Sequence, residues 1–97
     1  MRIAEVIGTV TLSRAHASLA AASFRLAIPL TLADLSSDAM PQGESLVVYD
    51  ELGAGVGSRI AMSEGGEAAQ PFYPDDKPVD AYNAAILDTL DYVTPEI

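Results

Sequence analysis

Residues 45–57 form the stretch SLVVYDELGAGVG, in which an apolar segment is followed directly by a glycine-rich one. Its first half, residues 45–50, is short and rich in β-branched and aromatic side chains, which is typical of a β-strand. Its second half places three glycines within five residues, at Gly53, Gly55 and Gly57. Glycines at this density indicate a backbone with unusual φ and ψ angles or a close approach by another backbone. The stretch therefore predicts a strand that ends in a tight loop.

Two segments before this stretch show the alternation of half-buried strands. Apolar and polar side chains alternate along residues 2–12, and the clearest alternation lies in residues 24–32. The apolar side of the second segment comprises Phe24, Leu26, Ile28, Leu30 and Leu32. Proline cannot donate a hydrogen bond to a neighbouring strand, so Pro29 predicts a free edge or a bulge. Residues 59–63 form a fourth, short strand.

The segments between these strands are rich in turn formers. Residues 13–23 are a loop of small residues, and residues 34–43 combine Asp, Ser, Pro and Gly, which favours a connecting loop. Residues 64–76 form a polar excursion in which residues 66–70 suit one helical turn.

The last segment, residues 78–93, is ambiguous between helix and strand. Asp80 is a suitable N-cap for a helix, whereas residues 86–90 also suit a strand. A fifth strand over residues 84–92 would close the other four into a small antiparallel barrel and remove the exposed edges, so we expect a strand there. The predicted fold is an all-β, five-stranded barrel with short helical turns, in a single domain of residues 1–97.

The composition is both acidic and apolar. Among the 97 residues are 14 Asp+Glu and 5 Lys+Arg, for a formal net charge of -9, and 49% of the residues are hydrophobic. A chain this short leaves much of its surface exposed. The apolar excess therefore predicts surface that is covered by another copy or by a partner. The basic residues are scattered, which disfavours binding to nucleic acid and to anionic membranes.

Few residues suggest chemistry. The chain has no cysteine and a single histidine, His16, which excludes thiolate sites and any two-histidine metal site within one copy. The glycine-rich stretch is not followed by the Lys-Ser/Thr of a phosphate loop, and it precedes a strand instead of a helix. A catalytic role for His16 with Ser13 or Ser18 lacks an orienting group and oxyanion donors. We therefore expect no catalytic residue, no metal and no cofactor.

Four motifs in this order resemble the EutN/CcmL family of bacterial microcompartment vertex proteins. They are residues 2–10 (RIAEVIGTV), 50–57 (DELGAGVG), 63–66 (SEGG), and 78–81 with 85–88 (PVDA and AILD). The resemblance implies a five-stranded, OB-like barrel that assembles into a cyclic homopentamer. It also implies a structural role in the cytoplasm, where such pentamers cap the vertices of polyhedral shells built from hexameric and trimeric shell proteins. No enzymatic activity is implied.

Two features depart from the family pattern. Family members often carry an Arg-Gln pair after the Ser-x-Gly stretch, whereas Ala69 stands at the position of that Arg here. Residues 33–43 also differ in sequence, so no family property is transferred to them.

The resemblance suggests roles for two groups of residues. We expect the glycine loop, residues 53–57, at or near the contact between copies, because glycine lets a neighbour approach the backbone closely. Its members are Gly53, Ala54, Gly55, Val56 and Gly57. A second group, which comprises Ser63, Gly65 and Gly66, is expected to lie towards the five-fold axis. Copies that each carry -9 repel one another, and Arg2, Arg25 and Arg59 are candidates for attractive ion pairs between them.

Two other functions remain open from the residues alone. A small OB-like module that binds a ligand or a single strand normally combines a basic groove with stacking aromatic side chains. Aromatic side chains are present without such a groove, at Tyr49, Phe72, Tyr73, Tyr82 and Tyr92. A small acidic hydrolase would use Asp80 or Asp88, whereas Asp75 and Asp76 are typical of a solvated loop pair.

Overall fold

The chain forms a closed barrel of five strands in a computed structural model. The structure describes residues 1–12, 15, 17–19, 22–37, 39–74 and 78–93. The strands are β1 (Arg2–Val10), β2 (Phe24–Pro29), β3 (Leu46–Tyr49), β4 (Arg59–Glu64) and β5 (Ala81–Ile86). The helices of the described residues are α1 (Leu32–Leu35), α2 (Gly66–Ala69) and the single 3₁₀ turns Ala17–Leu19 and Gln70–Phe72. None of these helices is long and apolar enough to cross a membrane.

The strand order around the barrel is β1-β2-β3-β5-β4, and β4 pairs with β1 to close it. Neighbouring strands are antiparallel except β3 and β5, which run parallel and meet at Tyr49 and Tyr82. The predicted closed all-β barrel is therefore confirmed. The parallel contact is a departure from the predicted antiparallel pattern.

Small and medium side chains fill the interior of the barrel. The largest apolar side chains that are fully buried are Ile60, Met62, Val6 and Val48. The same cluster contains the alanines Ala4, Ala27, Ala54 and Ala81. A five-stranded barrel encloses a narrow space, since barrel diameter grows with strand number. Many of the larger apolar side chains of the chain must therefore lie outside the barrel.

A second apolar cluster lies on the outside of the barrel wall. Phe24 and Tyr49 pack edge to face with ring centroids 5.3 Å apart, and Phe72 packs on Tyr49 at 4.9 Å. Ala68 of α2 is fully buried in this cluster, together with Val79. The excursion that follows β4 thus folds back over the outer wall, and its predicted helical turn at residues 66–70 is confirmed by α2.

Strand positions agree with the sequence in three of the five cases. The strands predicted over residues 2–12, 45–50 and 59–63 correspond to β1, β3 and β4. The fifth strand was expected over residues 84–92 but runs over Ala81–Ile86, so its predicted position is wrong and no helix begins at Asp80. Its inward side chains include Ala81 and Asn83, which are both buried. One is small and the other polar, so they do not produce the apolar alternation by which a strand is recognised in a sequence.

β2 ends earlier than its apolar alternation predicts. Residues 32–35, which were expected to continue the strand and enter a loop, form α1 instead. The Asp34 N–H donates to Thr31 Oγ1 at 3.1 Å, and the Thr31 N–H donates to Asp34 Oδ2 at 2.8 Å. This reciprocal capping box satisfies two backbone donors at once and starts the helix.

Pro29 is the last residue of β2, and its missing N–H removes no hydrogen bond between strands. The Leu30 N–H donates to the Ile3 carbonyl at 2.8 Å, so the nitrogen of Pro29 faces the other side, towards β3. The pairing of β2 with β3 already ends at Ala27. The predicted free edge at Pro29 is therefore confirmed locally. The register shifts of the described strands lie elsewhere, in β1 between Val6 and Gly8 and in the pairing of β4 with β5 between Ala61 and Met62.

The segment after β5 runs along the molecule without regular secondary structure. The Leu87 N–H donates to the Arg59 carbonyl at 2.8 Å, and the Tyr92 hydroxyl donates to the Leu35 carbonyl at 2.8 Å. The second contact ties residues 87–93 to α1, at the end of β2 where Pro29 lies. Much of the predicted loop at residues 13–23 lies outside the described residues.

Truncation of Ile60, which is fully buried in the barrel interior, is expected to destabilise the fold. Ile60→Ala leaves a cavity in a narrow core and should lower the free energy of unfolding by about 2–5 kcal/mol. Urea unfolding at one fixed protein concentration measures this loss. Met40→Ala, at a side chain that is 70% exposed, is the control and should cost no more than about 0.5 kcal/mol. Equal losses would contradict the assignment of the core.

Candidate functional site

The glycine loop closes one end of the barrel between β3 and β4. Gly53 and Gly57 have φ angles of 77° and 92°, which L side chains rarely adopt, whereas Gly55 has no positive φ. The unusual backbone expected from the sequence is therefore confirmed at two of the three glycines. Between them, Ala54 turns inward and joins the core cluster that contains Val6.

Asp50 anchors the loop from the end of β3. It is only 2% exposed. Its Oδ1 accepts hydrogen bonds from the Leu52 N–H at 3.1 Å and from the Asn83 amide at 2.9 Å. Its Oδ2 accepts from the Ala54 N–H at 2.9 Å. A carboxylate that accepts several hydrogen bonds within the protein is strongly fixed, and so is the start of the loop.

Arg25 of β2 completes the anchor. Its Nη2 lies 3.5 Å from Asp50 Oδ2, and its Nε donates to the Ala54 carbonyl at 2.6 Å. The Nη1 also donates to the Phe24 carbonyl at 3.1 Å. Asp50 and Arg25 thus bind the N–H and the carbonyl of the same residue, Ala54. The ion pair therefore determines the orientation of that peptide segment.

The far end of the loop is bound to β1. The Gly57 N–H donates to the Val6 carbonyl at 2.8 Å, and the Val6 N–H donates to the Ser58 carbonyl at 2.9 Å. These bonds lie beside the bulge between Val6 and Gly8, where β1 leaves its regular pairing with β2. The loop is therefore held by β1, β2 and β3 together, which makes it rigid for a segment so rich in glycine.

The outer surface of the loop is open and uncharged. A Cβ atom added at Gly53, Gly55 or Gly57 would meet no atom within 4 Å. Val56 is 68% exposed, and residues 52–57 contain no charged side chain. Ala54 differs from its neighbours because its side chain is buried in its own barrel. The expectation that Ala54 lies at or near the contact between copies therefore stays a prediction for its backbone.

Beside the loop, the Tyr82 hydroxyl donates to Glu51 Oε2 at 3.2 Å. Burial raises the pKa of Tyr82 above its ordinary value, and the Glu51 carboxylate raises it further because the phenolate would be repelled. Tyr82 also packs on Tyr49 and Phe72. The aromatic cluster on the outer wall thus continues to the edge of the loop.

The residues expected near the five-fold axis lie at the other end of β4. Ser63 is half-buried near the end of that strand, and Gly65 follows with a φ of 63°. The Gly65 N–H donates to the Asp80 carbonyl at 2.8 Å, and Gly66 begins α2. Gly65 and Gly66 are exposed. The length of β4, at about 3.3 Å per residue, separates this group from the glycine loop.

The described residues do not assemble the parts of a catalytic site. Asp80 precedes β5 and Asp88 follows it, so roughly 20 Å of extended chain separates these carboxylates. Within the ranges that the structure describes, no group of three His, Cys, Asp or Glu side chains is placed to hold a metal ion. Ser13, His16, Asp75 and Asp76 lie outside the described residues.

A basic groove for single strands is not formed by the arginines of the described residues. Arg25 pairs with Asp50, and the other two pairs are Arg2 with Glu64 at 3.6 Å and Arg59 with Glu5 at 3.9 Å. Each of these arginines therefore has a carboxylate partner in its own chain. These pairs within one chain do not support the expectation that Arg2, Arg25 and Arg59 form ion pairs between copies.

Sequence reasoning missed the anchor of the loop. Asp50 and Asn83 each stood within or next to a predicted strand and were given no role, and Arg25 was expected only as a candidate for ion pairs between copies. A signal was present, because an Asp directly before a glycine-rich turn is well placed to accept the N–H groups of that turn. Arg25 was a second signal, since a lone cation in an apolar strand needs a partner when it is buried.

This geometry defines a class of protein in which a rigid barrel presents a shaped, uncharged loop instead of a reactive cleft. The family model described as "Ethanolamine utilisation protein EutN/carboxysome" matches residues 1–88. The chain therefore belongs to the EutN/CcmL family.

Two relatives of the chain are shell vertex proteins. The bacterial microcompartment shell vertex protein GrpN of Rhodospirillum rubrum is 33% identical over 93 residues, which cover 96% of this chain and 99% of GrpN. The carboxysome shell vertex protein CcmL of Gloeobacter violaceus is 36% identical over 90 residues, covering 93% of this chain and 85% of CcmL.

Solved structures of the same two relatives share the fold. The structure of GrpN, described as a pentameric microcompartment shell protein, matches with a TM-score of 0.79 at 31% identity and covers 96% of this chain and 100% of that one. The structure of Gloeobacter violaceus CcmL matches with a TM-score of 0.81 at 30% identity, covering 95% and 90%. The chain is a structural shell vertex protein of a bacterial microcompartment, a cytoplasmic body, and not an enzyme.

Removal of the charge of Asp50 is expected to loosen the loop and weaken the fold. Asp50→Asn leaves the Arg25 guanidinium without its counter-ion and should lower the free energy of unfolding by about 2–3 kcal/mol, the low end for a buried pair because Arg25 is partly exposed. Urea unfolding and the hydrogen-exchange rate of the Ala54 amide measure the two effects. Glu64→Gln, which breaks an exposed pair, should cost less than about 1 kcal/mol. Unchanged exchange at Ala54 in the Asp50 variant would rule out the anchoring role.

Tyr82 is expected to make the fold less stable at alkaline pH. Its folded-state pKa is raised, so the neutral hydroxyl contributes stability that is complete below about pH 10 and is lost as the pH rises through the folded-state pKa. Tyr82→Phe removes this term, so its free energy of unfolding should fall less between about pH 9 and 11 than that of the unmodified protein. Tyr73→Phe, at an exposed ring, is the matched control. Parallel pH profiles for all three proteins would contradict the expectation.

Proposed function

We propose that the chain acts as one unit, residues 1–97, of a five-membered ring, and that the glycine loop forms one side of each contact between neighbouring copies. The pentameric description of the GrpN structure supports the ring. The observation that carries the assignment of the loop is its open, uncharged outer surface on a backbone that the chain itself holds rigid.

Electrostatics favours a contact at this loop. Each copy has a formal charge of -9, so contacts between carboxylate-rich surfaces are opposed by repulsion and desolvation. Residues 52–57 carry no charge, and Val56 offers apolar surface to a neighbour. The glycines add a second advantage, because a neighbouring side chain can approach a bare backbone closely. A loop that is already ordered also loses little conformational entropy when it binds.

We place Ser63, Gly65 and Gly66 near the five-fold axis. Five copies crowd most tightly around the axis, where small residues permit the closest approach. This group is separated from the glycine loop by the length of β4. The two groups therefore serve different parts of the ring, one at the contact between copies and one around its centre.

The partners of the ring are proposed to be the hexameric and trimeric shell proteins that form the flat faces. A layer of six-fold units alone is flat, and five-fold units introduce the curvature that closes it. The rim of the ring would meet these tiles, and the chain would bind no nucleic acid, membrane or cofactor in this role.

Enlargement of Gly55 is expected to disrupt the ring without damage to the chain. A Cβ at this position meets nothing within 4 Å in its own chain, and Gly55 has no positive φ. Gly55→Val should therefore fold normally but shift the mass from a ring of five towards monomer. Native mass spectrometry measures the assembly, and circular dichroism measures the fold. High salt is included because it screens repulsion between copies.

Ala39→Val is the matched control for this experiment. It adds apolar volume at another exposed loop residue and should leave the five-fold mass unchanged. An unchanged five-fold mass for Gly55→Val would exclude the glycine loop from the contact, and a monomeric unmodified protein would exclude the ring itself.

A further inference from the structure

The apolar side of β2 faces outward. Its alternation places Phe24, Leu26 and Ile28 on one side of the strand, and such a side is normally the core side. In the structure the opposite side is inside, because Ala27 is fully buried in the core cluster and pairs in register with buried Val6. The most regular apolar row of the sequence therefore lies on the outer wall.

The chain covers both ends of this row with its own residues. Phe24 is buried beneath the aromatic cluster of the excursion that follows β4. Ile28 is buried beside Gly43, where an added Cβ would lie 3.2 Å from Ile28 Cγ2. The middle of the row, at Leu26, lies between these two covered positions.

The middle of the row continues across three strands as an apolar patch, here named the outer stripe. Leu26 pairs in register with Gly8 of β1 on one side and with Val47 of β3 on the other. Val47 is 48% exposed, although the side chains of its neighbours in β3 face the core. Gly8 has no side chain, and a Cβ added there would meet only Leu26 Cβ, at 3.8 Å. The gap that the missing side chain leaves beside Leu26 is here named the hollow.

A closed ring of identical copies needs two different surfaces on each copy, because its contacts are heterologous. The glycine loop lies at the end of the barrel, whereas the outer stripe lies on its side wall. Both surfaces lack charged residues in a chain of formal charge -9. Exposed Val56 on the loop offers an apolar side chain for the gap that Gly8 leaves in the stripe.

We propose that the outer stripe of one copy receives the glycine loop of the next copy, with Val56 seated in the hollow at Gly8 between Leu26 and its neighbours. This inference rests on the proposed role of the loop in the ring and names its counterpart. It also explains why a row of large apolar side chains points away from a core that holds mainly small ones.

The first test adds a charge to the outer stripe. Val47→Lys should fold as the unmodified protein does, because Val47 is exposed, but should lose the five-fold mass in native mass spectrometry. Met40→Lys is the control, since Met40 is an apolar residue that is 70% exposed in the segment before β3, outside both the glycine loop and the outer stripe; it should keep the ring. Gly8→Val is a second variant that fills the hollow, where an added Cβ has only an ordinary 3.8 Å contact to Leu26 Cβ, and it should also lose the ring.

The second test mixes Val47→Lys with Gly55→Val. The first variant keeps an intact loop and the second keeps an intact stripe, so one functional contact can form between them. The mixture should therefore give a one-to-one heterodimer that neither variant gives alone. Monomers only in the mixture would show that loop and stripe are not partners and would overturn the inference.

The outcomes separate the two proposals. Rings formed by Gly55→Val would contradict the role of the loop and the stripe inference with it. A second outcome is that Gly55→Val loses the ring while Val47→Lys and Gly8→Val both keep it. This result would support the role of the loop in the contact and would overturn the stripe inference alone. Loss of rings by Met40→Lys with rings retained by Val47→Lys would assign the counterpart of the loop to the segment before β3 and overturn the stripe.

Discussion

The ion pair between Asp50 and Arg25 is the interaction on which the functional end of the barrel depends. Arg25 lies near the start of β2 and Asp50 directly after β3, and these strands pair side by side. Both side chains bind the backbone of Ala54. A shift of one residue between the two strands would turn one partner to the other face of the sheet and separate the pair. Strand register and loop shape are therefore coupled.

The small interior of the barrel explains the apolar composition. Alanines occupy many of the inward positions, so the larger apolar side chains are distributed over the outer wall. Part of that wall is covered by the chain itself, through α2 and the 3₁₀ turn that follows it. Hydrophobic residues make up 49% of the chain because it builds two apolar layers, one inside the barrel and one outside. The hydrophobic fraction of the sequence therefore overstates the size of the barrel interior, because part of it belongs to the outer layer.

The sequence predicted the order of the elements better than their orientation. The β-branched run at residues 45–50 and the alternation at residues 2–12 identified β3 and β1, because local patterns report strand formation directly. The pattern of β2 showed which side chains share a face, but periodicity does not say which face is inside. β5 was misplaced because Asn83 is buried by its hydrogen bond to Asp50, a tertiary contact that leaves no local signal.

The two ends of β2 are supported by separate sets of contacts. At one end the glycine loop is bound to β1, β2 and β3. At the other end α1 has its own capping box and its contact with Tyr92. Substitutions at the α1 end therefore leave the hydrogen bonds that hold the glycine loop in place. In the proposed ring, the two ends of one strand would thus carry separate tasks, so that a change of surface at one end leaves the symmetry set at the other end intact.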